Sequence, residues 1–162
     1  MADFTLACVC PDVPEWYLCQ AMDDPFNLQR FVDAQESVYP QVLDELRCGK
    51  KTSHWMWFVF PQIAGLGHSA TAQRYALASI DEARAYLEHP VLGPRLGECV
   101  NVLLGVDGLT AEQIFGGIDA LKLRSCLTLF LAASAGEPVF EDALDKYFES
   151  VPDLRTLTAI RC

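Results

Sequence analysis

The chain is cut at short intervals by residues that begin or end helices, and this punctuation limits every element it can form. Ser79-x-x-Glu82 and Thr110-x-x-Gln113 are capping boxes, in which a hydroxyl and a side chain three residues on satisfy each other's free N–H groups. Asp24-Pro25 predicts a helix running to Gln35, and Pro40, Pro94 and Pro138 predict three more starts. Ser69 is placed to cap a helix through Tyr75, Asp119 a long one over ALKLRSCLTLFLAAS, and Asp153 a last short turn. Gly49 and Gly116-Gly117 read as stops, as does the residue before Pro90. Apolar positions repeat at helical spacing between these marks, as in Leu96, Val100, Leu103 and Leu104. The run MWFVF at 56–60 has strand-like composition but is brief and has no partner. The prediction is an all-α fold: a single compact domain of about eight short helices.

A length of 162 residues, 51% hydrophobic and 21% charged, suits one globular domain. The formal net charge of -10 argues against binding a nucleic-acid polymer or an anionic membrane, both of which reward a basic face. It leaves room for a local basic pocket. No apolar run reaches membrane-spanning length, and the N-terminus lacks the basic residue of a secretion signal, so a cytoplasmic protein is expected. Seven cysteines at irregular spacings, with no second pair to match Cys8-x-Cys10 and no histidine near that pair, predict reduced thiols and neither a metal nor another cofactor. Residues 1–21 carry three of those cysteines and no clear helical period. They read as an N-terminal extension, with 22–162 the helical domain.

Four stretches, DPFNLQRFVDAQ, GKKTSHWMWFVFPQIAGLGHS, DEARAYLEHPVLGPRLGEC and DALKLRSCLTLF, resemble family 1810 of the domains of unknown function, which also carries a calpastatin-like label. The resemblance spans Met22 to Phe148. It implies a small, mainly helical, bacterial-type soluble domain and supplies no activity. Cys126 stands where the family pattern has serine, and the segment before Met22 has no counterpart in it.

Any site is expected around SHWMWFVFPQ, residues 53–62. On a helix its four aromatic rings point around the whole circumference, so they divide between core and groove. Thr52 or Ser53 could cap the next helix and leave free N–H groups beside Lys50 and Lys51, the chemistry of a small-anion site. On the DALKLRSCLTLF helix, Ser125 and Thr128 share a face. They either bond back to their own carbonyls or point into a polar pocket. Lys122, near that helix's positive end, calls for an acidic or anionic partner. The expected ligand-binding set is Lys51 at the rim, His54, Trp55, Trp57, Gln62, Ser69, Tyr75, Lys122 and Ser125.

The leading reading is a domain that binds a small anionic or nucleotide-like ligand through aromatic stacking, lysine charge and an amide. A second is a hydrolase of an N-glycosidic or ADP-ribose-type bond, with His54 as candidate catalytic acid or base because histidine titrates near neutrality. A third is a protein-interaction module presenting exposed aromatics. No Ser-His-Asp order or HExxH motif is present.

Overall fold

The structure is a computed structural model, and it describes residues 24–161. The expectations for 1–21 and for Cys8, Cys10, Cys19 and Cys162 therefore lie outside the described residues. Among the described residues there are ten helices, in chain order α1 Gln29–Glu36, α2 Tyr39–Arg47, α3 Met56–Val59, α4 Ala70–Arg74, α5 Ile80–Glu88, α6 Leu92–Leu104, α7 Ala111–Phe115, α8 Gly117–Ala133, α9 Pro138–Phe148 and α10 Leu154–Ala159. The number exceeds the predicted eight because several are single turns. Met56–Val59 of the MWFVF run is helical, as α3, with Phe60 just past its end, and no strand stands among the described residues.

α8 is the hub. Ala120, Leu123, Cys126, Leu127, Leu129 and Phe130 are all buried, so the helix is apolar nearly all round. It packs against α5, α7, α9 and α10, while α6 packs on α2, α5 and α9. Trp55, Tyr86, Phe31, Phe60, Phe130 and Phe140 are fully enclosed and form the bulk of the core. Burial of each such ring contributes about 1.5–3 kcal/mol.

Most starts obey the punctuation. Ser79 accepts from the Glu82 N–H at 3.2 Å, Ser69 from Ala72 at 3.1 Å, and Thr110 and Gln113 form the reciprocal box. Two starts differ. Asp24 does cap α1, accepting from the N–H groups of Leu28 and Gln29 at 2.8 and 2.9 Å, but the helix begins only at Gln29 because Asn27 lies in the left-handed region at φ 53°. α8 begins at Gly117, so Asp119 lies in its first turn rather than at its cap.

Buried polar links fix the loops. Arg30 pairs with Glu82 at 2.7 Å and donates to the carbonyls of Phe26, Arg74 and Ala76. That holds the chain after α4 beside α1. There Leu77 forms an isolated parallel bridge with Ile63, donating to the Gln62 carbonyl at 2.9 Å. Gln62 is thereby set in place.

Candidate functional site

The segment around SHWMWFVFPQ divides, and Glu45 decides how. This buried carboxylate accepts from the N–H groups of Thr52 and Ser53 at 2.8 and 3.1 Å, from both their hydroxyls, and from the Trp55 indole N–H at 2.9 Å. Burial alone would raise its pKa, but the bonds from Ser53, Thr52 and Trp55 outweigh it and hold the carboxyl far below the usual range. The anion-binding turn expected at 50–53 thus exists, and its occupant is the protein's own carboxylate. Neither Thr52 nor Ser53 caps α3, whose N-cap is Trp55.

Lys51 does not stand at a rim. Its side chain is 7% exposed, and its ammonium meets Asp119 at 2.7 Å and the Ser53 carbonyl at 2.6 Å. Trp55 is buried against Phe60 and Phe115. Tyr75 packs its ring against Phe31 and Phe58, and Ser69 spends its hydroxyl on the α4 cap. His54 is exposed and stands outside the cleft formed by the other expected residues.

The other four expected residues, Trp57, Gln62, Lys122 and Ser125, line one cleft of about 370 Å³. Its remaining walls are Leu66, Gly67, Ile118, Leu121, Arg124, Asp153 and Arg155. Three segments build it: the chain from α3 through the glycine loop, the first half of α8, and the start of α10.

Lys122 is held from two sides. Its ammonium lies 2.7 Å from Asp119 Oδ1 and 3.6 Å from the centre of the Trp57 ring. Burial would push Asp119 up, yet Lys122 and Lys51, one on each oxygen, keep it below the ordinary carboxylate range. Trp57 therefore presents one face to a lysine of the protein itself. The glycine loop also runs close to the ring. A Cβ added to Gly67 would stand 2.6 Å from Ala72 Cβ and 3.7 Å from Trp57 Cζ3. The ring is better described as a support for Lys122 than as an open stacking platform.

Ser125 and Thr128 both bond back into their own helix, and Ser125 alone of the two also lines the cleft. Each bonds back into α8, to the carbonyls of Leu121 and Arg124 at 3.1 and 2.8 Å. Each also grips Asp153. The Ser125 hydroxyl lies 3.0 Å from Asp153 Oδ2, and Thr128 accepts from the Asp153 N–H at 2.9 Å. Asp153 caps α10 through the Thr156 N–H and hydroxyl, at 3.0 and 2.6 Å. Burial would raise its carboxyl, but the Thr156 and Ser125 bonds and the nearby Arg124 hold it low.

This anchored turn carries Arg155 to the cleft. Arg155 makes no ion pair among the described residues, and Arg124 reaches Asp153 only at 3.9 Å. The Gln62 amide likewise has no side-chain partner among them. The sequence reading missed Arg124 and Arg155 as site residues. Their only sequence signal is charge, and Arg155 is brought in by contacts that run from α8 to the 153 turn.

Among the described residues no helix is long and apolar enough to cross a membrane, and no group of three or more potential metal ligands exists. Cys99 and Cys126 are buried free thiols and Cys48 is an exposed one.

Comparison with known proteins gives a family and a fold neighbour. The crystal structure of the conserved hypothetical protein Rv1873 from Mycobacterium tuberculosis superposes with a TM-score of 0.84 at 50% identity, covering 86% of this chain and 99% of the other. No curated protein is similar to this chain. The profile of the family described as "Protein of unknown function (DUF1810)" matches residues 25–160, and the chain belongs to that family.

Proposed function

We propose that the protein binds a small anion in the cleft between the 57–67 segment, α8 and α10. The observation that carries this reading is a concentration of positive charge in a molecule of net charge -10. Lys122, Arg124 and Arg155 line one cleft against a single lining carboxylate, Asp153. Asp153 is already committed to the α10 cap, which leaves Arg155 and the Gln62 amide as donors without partners among the described residues. Charge-assisted bonds to such donors are stronger than neutral ones and favour carboxylate or phosphate.

Binding is favoured over hydrolysis. No imidazole lines the cleft among the described residues, its one lining carboxylate, Asp153, sits in a cap, and Asp119 behind Lys122 is held in ion pairs. A nucleotide-like ligand would have to stack elsewhere than on the Trp57 face that Lys122 covers.

The test is a thermal-shift titration with inorganic phosphate and pyrophosphate at low ionic strength, because a ligand that binds the folded state raises its midpoint. Arg155→Ala and Lys122→Ala should each weaken binding by about 10- to 100-fold, the effect of losing one charge-assisted bond of about 1.5–3 kcal/mol. His54→Ala should leave it unchanged. Equal responses from wild type and both cleft variants would refute the reading.

A further inference from the structure

We infer that the cleft takes an amphiphilic anion, a carboxylate or phosphate head joined directly to an apolar chain. This rests on the anion-site reading and specifies its ligand. Large apolar side chains are rarely left exposed in a cluster without a purpose. Among the described residues, Ile118 is 76% exposed, Leu154 72% and Leu121 61%, and all three stand at this site. Ile118 and Leu121 line the cleft itself. Leu154 lies between Asp153 and Arg155 and lines a second hollow of about 420 Å³, which shares Leu66 and Arg155 with the first. The two hollows thus adjoin at Leu66 and Arg155, with Lys122 and Arg124 lining the first alone and Ala64, Leu154 and Ala159 the second alone.

A bare inorganic anion would satisfy the cations and leave this apolar rim in water. A headgroup at Lys122 and Arg155 carrying an aliphatic tail past Leu66 and Leu154 would cover both. Other occupants fit less well. A second copy paired through this face about a two-fold axis would bring the Lys122, Arg124 and Arg155 charges of both copies into one interface, which like-charge repulsion opposes. An anionic bilayer would face a strongly acidic molecule.

The experiment is a chemical-shift titration of the intact protein with two matched series below their micelle concentrations. One runs from acetate through butanoate and hexanoate to octanoate, and the other from inorganic phosphate to hexyl phosphate. Affinity should rise about two- to fourfold per added methylene, the range between half and full burial. Comparison of the two series says which headgroup is preferred. In Leu154→Ser, which alters an exposed position outside the first cleft and spares the core, the gain per methylene should fall while acetate and phosphate bind as before; Ile118→Ser should lower that gain as well. Binding that is independent of chain length, or a gain unchanged in both variants, overturns the inference while leaving the anion site standing. Failure of even inorganic phosphate to shift the cleft amides overturns both. Concentration-dependent dimerisation abolished by Ile118→Ser would assign the apolar rim to self-association and overturn the inference.

Discussion

Glu45 shows how one side chain can fill a site that the sequence advertises to a ligand. Its carboxylate takes the N–H groups that would otherwise greet an anion, and ties down the Trp55 indole as well. Glu45→Gln should destabilise the fold by about 2–4 kcal/mol, since a buried set of charge-assisted bonds loses its charged acceptor. The pH dependence follows from the direction of its shift. A carboxyl held low in the folded state stabilises above its unfolded value, near pH 4.3 for glutamate, and loses that contribution as the pH falls below it. Urea unfolding of wild type should therefore weaken steeply from about pH 5 downward, and Glu45→Gln should flatten that slope. Trp55→Ala should cost about 3–5 kcal/mol as a truncated core ring. The exposed His54 should tolerate alanine within about 0.5 kcal/mol.

Helix starts were legible where the signal is local. Ser69, Ser79, Thr110 and Asp153 sit within a few residues of the N–H groups they cap. They were illegible where the partner is remote or the cue unfamiliar. His89 reads as a loop histidine before a proline, yet its Nδ1 accepts from the N–H groups of Val91 and Leu92 at 3.2 and 3.3 Å and so caps α6. Burial disfavours its charged form and lowers its pKa, against a weak opposing pull from Asp24. A histidine with a lowered folded pKa stabilises above its unfolded value of about 6.5 and loses that contribution as the pH falls through this range. His89→Ala should cost about 1 kcal/mol at pH 8, the worth of a cap, and should cost less at pH 5.5, as chemical denaturation at the two values can establish.

At the scale of the molecule, the class of fold was readable because short capped segments permit little else. The cleft was readable only in part. Trp57, Gln62, Lys122 and Ser125 come from stretches whose composition stands out, whereas Arg155 enters through the grip of Ser125 and Thr128 on Asp153, 28 and 25 residues apart in sequence. Lys51 and Trp55 were expected beside them and are instead part of the packing behind, because Asp119 and Glu45 claim them. A local basic cleft on an acidic molecule also predicts a salt effect. Anion affinity should fall as ionic strength rises from 0.01 to 0.15 M, over which the screening length contracts from about 30 to about 8 Å. The central claim is the location of the anion, and amide chemical-shift mapping during a phosphate titration at low ionic strength tests it most directly. The account predicts shifts concentrated in Gln62–Gly67, Ile118–Ser125 and Asp153–Arg155, and absent from the turn at 50–54. Shifts centred on that turn, or on the hollow lined by Arg47 and Asn101, would contradict it.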